Sequence, residues 1–512
     1  MSERIQFSIP YDVAVESYVK ENYPKVRDYR IRSESLDARK ANQGRVPTVH
    51  YTLEVVYGQD EFPSTKEDFK TIGPLKTPPI IIGAGPAGLF CALRFAEYGV
   101  PTMIFERGTR AHERMKHISK YWRKGELDPD NNVCFGEGGA GLFSDGKLIT
   151  RVKSPYVQYV MDKFVDFGAP AETAWLSNPH LGSNKIRQLI GKITGYLTDK
   201  GHTFHYNSRI EKIIVKENKA IGVELSDGQK FYSDHIILAA GHSASELYQH
   251  LKEINVDMKP KDFAVGVRVE HPRELIDRIQ YGDYSEEGLG ASRYRLSWEN
   301  PKTFKGTYSF CMCPGGYVLS SGTDDFGIVV NGMSNYARNS RWSNSALVVS
   351  VKAGKDFQVD DVLGGLGFQN AIEKKAYEYS KEKASGREVP VQNLKDFLDN
   401  SLSGKLPKTS CPSGIFEQDL RQVLPPFISE HLSNALEMFN RRMKGFVTDK
   451  ALLLAPETRT SAPVTITRDR ETLVSTNIAG LYPCGEGAGH AGGITSAAVD
   501  GIKVAMSILQ SR

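Results

Sequence analysis

Short apolar runs set between glycine turns and amphipathic stretches organise this chain. Ile80-Ile-Ile82 runs straight into Gly83, a helical pattern covers Pro86 to Tyr98, and a second apolar run spans Thr102 to Phe105. Strand, helix and strand in that order predict a βαβ unit. Upstream, Arg4 to Ile9 reads as a strand, Val13 to Tyr23 as a helix ended near Pro24, and Val49 to Tyr57 as an alternating β-rich stretch. These predict a small α+β module over residues 1–76, with a Pro/Gly-bearing linker from Ile72 to Pro79.

Downstream, short β segments with turn signals such as Asp227-Gly228 fill Asn207 to Gly241 and end in the apolar strand Ile236 to Ala240. The texture changes between about 255 and 455. There, β-rich runs (Phe263 to Glu270, Tyr308 to Cys313, Phe326 to Met333) mix with helical patterns (Gln369 to Glu382, Ile428 to Met443). Residues 462–512 return to strand, Gly-rich turn and helix. The pattern predicts an α/β fold: a Rossmann-type dinucleotide domain in two parts, 77–254 and 457–512, with an α+β substrate domain inserted at 255–456.

Composition adds bounds. With 512 residues, 40% hydrophobic and 25% charged, the chain can bury large cores. A net charge of +4 gives no global footprint for nucleic acid, and residues 1–76 balance 12 Lys/Arg against 12 Asp/Glu. No apolar run is long enough to span a bilayer, and Met1 to Pro10 has no apolar signal core. The six cysteines are few and scattered, which predicts free thiols in a reducing cytoplasm.

The strongest chemical signal is Ile80-Ile-Ile-Gly-Ala-Gly-Pro-Ala-Gly88, with Glu106 lying 18 residues beyond Gly88, after the second strand. That context is what a dinucleotide fingerprint requires. Gly83 permits the tight turn, Gly85 lets backbone approach a diphosphate, and Gly88 lets the helix pack on the strand. The helix N-terminus faces the phosphates, and Glu106 accepts from ribose hydroxyls.

Three features favour FAD over NAD. The βαβ unit is followed by a long insertion and a C-terminal return. Ile236-Ile-Leu-Ala-Ala-Gly241 leads from a β-meander into a Gly turn. Gly480-Leu-Tyr-Pro-Cys-Gly-Glu-Gly-Ala-Gly-His490 ends a strand in an acidic residue, with a helix from Thr495 whose N-terminus suits negative charge on a flavin. No second GxGxxG opens a βαβ unit of its own, and no Cys-x4-Cys or Cys-x-x-Cys stands beside the first helix, where Cys91 stands alone.

Catalytic candidates follow from the turns. His242, after the Ala-Ala-Gly turn, and His490, in the C-terminal motif, are each expected to approach a flavin as acid or base, or else to bond backbone at a tight turn. Arg459, in Glu457-Thr-Arg-Thr460, either clamps an anionic substrate or forms a structural ion pair. Cys311 and Cys313 stand two apart in a strand pattern, which predicts thiols on one face, Cα atoms about 6.5 Å apart, and a strained, reducible disulfide at best. The alternative is two small buried packing groups.

With Gly136-Glu-Gly-Gly-Ala-Gly-Leu-Phe-Ser-Asp-Gly-Lys147, Phe310-Cys-Met-Cys-Pro-Gly-Gly316 and Glu457-Thr-Arg-Thr-Ser-Ala-Pro463, these motifs resemble the glutathione-reductase-like FAD superfamily. Within it the chain resembles the uncharacterised bacterial FAD-dependent dehydrogenases, essentially over its whole length. More distantly it resembles the tRNA uridine-modifying flavoproteins. The resemblance implies bound FAD, with the Gly136–Lys147 loop along the flavin and its phosphates. The cofactor positions are then Gly83, Gly85, Pro86, Ala87, Gly88, Glu106, Arg107, Gly139, Gly141, Ser144, Lys147, Ile210, Ala240, Gly241, Gly485, Glu486, Gly493 and Ile494.

The expected function is a FAD-dependent oxidoreductase that takes a hydride from a small-molecule substrate held between the two domains. No metal, membrane or nucleic-acid partner is expected. The alternatives are a flavin-dependent RNA-modifying protein, which the balanced N-terminal charge argues against, and a non-catalytic flavin-binding regulator. Because no second dinucleotide motif is present, NADH and NADPH are expected to bleach the flavin slowly or not at all. Stopped-flow reduction at a rate comparable to ordinary turnover would refute this.

Overall fold

The computed structural model describes residues 2–63 and 69–511. Five parallel strands, each three residues long, form one sheet in the order Leu481–Pro483, Ile236–Leu238, Ile80–Ile82, Met103–Phe105 and Thr203–His205. Every residue of Ile80–Ile82 and Ile236–Leu238 is buried, as befits strands covered on both faces. Their registers align Ile82, Phe105, Leu238 and Pro483. All the turns that follow these strands therefore open at one carboxyl edge, where open α/β sheets bind ligands.

The helix Pro86–Glu97 begins with Pro at its first turn and is buried from Ala87 to Phe95. The C-terminal helix Ile494–Gln510 lies directly against it. Two glycines make that layer possible. A Cβ on Gly88 would overlap the Gly83 carbonyl oxygen and stand 3.0 Å from Ile81 Cγ2, and one on Gly501 would overlap the Ala87 carbonyl group.

A second sheet of seven strands draws all its strands from residues 263–457. Its order is Ser297–Glu299, Gly306–Cys313, Trp342–Val351, Phe263–Pro272, Leu452–Glu457, Val389–Asn393 and Ile415–Glu417. The pairs are antiparallel except the last. Helices Gly364–Lys383 and Pro426–Arg442 contribute buried side chains to its core. The strand Gly306–Cys313 slips register against Trp342–Val351 between Phe310 and Cys313, where Cys311 adopts a left-handed φ of 43°. This is a β-bulge.

The N-terminal residues form a three-stranded antiparallel sheet in the order Glu3–Pro10, Thr48–Tyr57, Val26–Asp37, with the helix Val15–Asn22 on one face. The strand Val26–Asp37 has no sequence-level expectation behind it. Arg27, Asp28 and Arg30 are exposed on it, while Tyr29 and Ile31 pack inward. The module is tied to the rest of the chain. Backbone bonds join Glu34 to Trp175 and Ser177, at 3.1 and 2.9 Å, and the Asn42 side-chain amide donates to the Ile279 carbonyl at 2.9 Å.

Gly501→Ala is expected to cost about 1–3 kcal/mol through overpacking against the first helix, read as a lower thermal midpoint at fixed scan rate. Gly191 lies inside the helix Gly182–Asp199 with open space at its Cβ. There the same change should instead stabilise by roughly 0.5–1 kcal/mol.

Candidate active site

Both large sheets contribute walls to one cavity of about 1180 Å³. Ordinary ligand pockets hold roughly 300–1,000 Å³, so this one can take a dinucleotide and a second molecule. The parallel-sheet edge supplies Gly83, Gly85, Pro86, Ala87, Glu106, Arg107, Ala240, Gly241, His242 and Glu486. The connecting segments supply Gly139, Gly141, Ser144, Lys147 and Gly493, with Ile210 and Ile494 at the starts of a strand and of the C-terminal helix. The seven-stranded sheet and its flanks supply Tyr308, Phe310, Cys311, Cys313, Glu457 and Arg459.

The glycines distinguish structural from ligand constraints. At Gly83, φ is +103° and a Cβ would stand 2.5 Å from the Ala239 carbonyl oxygen, so the turn itself demands glycine. At Gly85 a Cβ would meet only Gly139 Cα, at 3.9 Å. Nothing in the protein forbids a side chain there, and the space opens on the cavity. The first-turn N–H groups of the helix Pro86–Glu97 have no intrahelical partner and no side-chain cap. An anionic diphosphate suits that cradle, so the residues present fit a dinucleotide cofactor.

Glu106 is buried and accepts three backbone N–H groups: Ala84 at 3.0 Å on one oxygen, Gly108 at 3.0 Å and Gly136 at 2.9 Å on the other. A carboxylate offers about four acceptor sites, which leaves capacity for a ribose hydroxyl. Arg114, which sequence reasoning missed, is fully buried. It donates to the carbonyls of Asn132, Val133, Glu137 and Gly139 at 2.8–3.0 Å. Burial pulls its guanidinium down to about 10. A buried Arg in a helix with no carboxylate three or four residues away carries no local signal.

On the same sheet edge, His242 Nδ1 lies 3.7 Å from a Glu486 carboxylate oxygen. Burial, with help from Arg459 and Lys261, lowers His242 to about 4. Burial raises Glu486 to about 7, partly offset by Lys261. The pair is thus uncharged or singly charged at neutrality.

Several expectations change. His490 is absent from the cavity wall: the turn at Gly485–Gly489 carries its Nε2 to the Ile466 carbonyl at 2.9 Å. Gly88 and Gly485 also lie off the wall. Gly88 serves helix packing, and Gly485 packs on Ala87 while its N–H donates to Asp500 at 2.8 Å. Arg459 lines the cavity, but its guanidinium is held by Glu373 at 2.7 and 3.1 Å and by Thr323 at 2.6 Å, so the ion-pair alternative describes it. Both cysteines line the cavity without a disulfide. The bulge breaks their alternation: Cys311 opens onto the void and Cys313 is buried, its thiol donating to the Cys311 carbonyl at 3.4 Å. Withdrawal from bulk water pushes Cys311 up to about 12 and raises Cys313, so both stay protonated. A thiol–disulfide couple on one strand face is not what this geometry offers.

Residues 262–460 match the family described as FAD-dependent protein, C-terminal domain-like. A Clostridium beijerinckii protein named only as uncharacterized is 41% identical over 439 residues, 85% of this chain and 81% of the relative. The FixC protein of Escherichia coli strain K12 is 27% identical over 208 residues, 39% of this chain and 45% of FixC. The crystal structure of CtdE in complex with FAD aligns with 85% of this chain and 84% of CtdE, at 10% identity and a TM-score of 0.32.

Gly85→Val is expected to fold and yet purify colourless, because its side chain fills space left for the diphosphate. An unchanged far-ultraviolet spectrum with no visible flavin bands would bear this out, and retained yellow colour would refute it.

Proposed function

Given that the chain belongs to one family with the Clostridium beijerinckii relative, that residues 262–460 match the FAD-dependent protein C-terminal domain, and that FAD is its cofactor, we propose that it is a flavin-dependent dehydrogenase acting on a small molecule. The observation that carries this reading is that one cavity joins the diphosphate cradle to a wall of titratable groups from the second sheet. Bound FAD supplies the two-electron acceptor for a hydride. The turn from Gly83 to Ala87 and Glu106 would hold its diphosphate and ribose. The order of the three sequence motifs supports a glutathione-reductase-like arrangement, and the reading includes a cytoplasmic location. No helix among the described residues is long and apolar enough to cross a membrane.

His242 is neutral at physiological pH, so its free imidazole nitrogen can take a proton from a substrate hydroxyl or amine as the hydride leaves. The imidazolium so formed would face Glu486, whose carboxylate 3.7 Å away favours it. Glu486 therefore tunes the base and also places a titrating charge at the cofactor end of the cavity.

Denaturing the purified protein is expected to release FAD, and an organic hydride donor should bleach the bound flavin without oxygen. Bleaching by dithionite alone would favour a non-catalytic regulator. The carboxyl of Glu486 is protonated below about 7 and ionised above it. Ionisation opposes negative charge on a reduced flavin, so the midpoint potential should fall by an additional ~30 mV per pH unit just above that point. Glu486→Gln should remove the bend, and a bend that survives the substitution would exclude Glu486 as its source.

A further inference from the structure

Most cations on the cavity wall are already neutralised. Arg459 faces Glu373, Arg107 faces Glu246, Lys147 faces Asp145 and Arg209 faces Asp130. Arg293, Arg295 and Arg151 differ: all three line the cavity, and among the described residues their guanidinium groups make no hydrogen bond or ion pair. Arginine cannot shed its charge, so unpaired guanidinium groups that line the cavity and are open to solvent suit an anionic ligand.

The cluster is built into the fold. Residues 292–296 run extended beside the cysteine-bearing strand, held by the Leu296 carbonyl accepting from Ser309 N–H and by Leu296 N–H donating to Ser309 Oγ, each at 2.8 Å. Tyr294 and Leu296 are buried in the sheet core, so the alternate positions 293 and 295 are turned out to the void. Neighbouring Arg338 adds to the positive field around Arg293, only partly relieved by Asp145. The diphosphate cradle, by contrast, belongs to the parallel sheet and needs no arginine, because a helix N-terminus serves it.

Resting on the oxidoreductase reading above, we infer that the substrate is an anion whose carboxylate or phosphate group docks on Arg293 and Arg295 at the thiol end of the cavity. The guanidinium fork matches both oxyanions. Cys311, opening onto the same void, then borders the substrate as a protonated, uncharged wall.

The test titrates the yellow holoprotein with succinate and with inorganic phosphate, followed by calorimetry and by the flavin difference spectrum. At least one anion is expected to bind saturably in the millimolar range or tighter, weakening with added salt. Succinate preferred over phosphate assigns a carboxylate, and the reverse a phosphoester. Arg293→Met with Arg295→Met should weaken binding at least tenfold while the visible spectrum stays intact, and each single Arg→Gln should give part of that loss. Lys216→Met, on an exposed hairpin, should leave binding unchanged. A yellow parent that binds neither anion, variants that bind like the parent, or variants that lose FAD would each overturn the inference. A colourless parent would instead overturn the oxidoreductase reading.

Discussion

The cofactor end of this protein depends on two buried ions that never meet a counter-ion directly. Glu106 gathers N–H groups from the fingerprint turn, the loop after the second strand and the Gly136 loop. Arg114 gathers four carbonyls from the same Gly136 loop and the stretch before it. One ion satisfies donors and the other acceptors, so the loop is held from both sides and Gly139 sits against Gly85. Without them, several backbone groups would be buried unpaired, each at a cost of roughly 1–3 kcal/mol. A side chain on Gly136 would run into the Arg114 stem, which explains glycine there without reference to any ligand.

The inserted sheet uses a different device. Arg268 lies wholly buried on its middle strand, with both Glu457 oxygens at 2.7 and 2.8 Å and Asn344 at 2.8 Å. Removing one partner of such a pair typically costs about 3–5 kcal/mol, because it strands a buried charge. Its Nη1 also donates to the Cys311 carbonyl at 3.3 Å, which anchors the bulge at that residue. The ion pair therefore shapes the wall on which the thiols stand as well as the interior of the sheet.

Paired and unpaired charges divide the cavity by function. Cations held by carboxylates organise the frame, while the arginines with no partner among the described residues face the void. His242 and Glu486, both shifted toward their neutral forms, lie between these regimes and respond to whatever enters.

The sequence by itself determined the cofactor end. Ile80–Ile82, the helix from Pro86 and the strand ending at Phe105 are local patterns, and a glycine fingerprint works through backbone geometry that neighbours in sequence dictate. That is why nearly all the assigned cofactor positions line the cavity. Tertiary structure decided the rest. A one-residue bulge, set by pairing with Trp342–Val351, turned Cys311 away from Cys313 although their spacing reads as one strand face. Glu373 on a distant helix claimed Arg459, and the turn after Gly485 removed His490. Whether a charge is paired depends on partners that are remote in the chain, and local spacing does not encode them. Arg293 and Arg295 are ordinary alternating residues until the fold brings them to the cavity, where they have no counter-ion among the described residues.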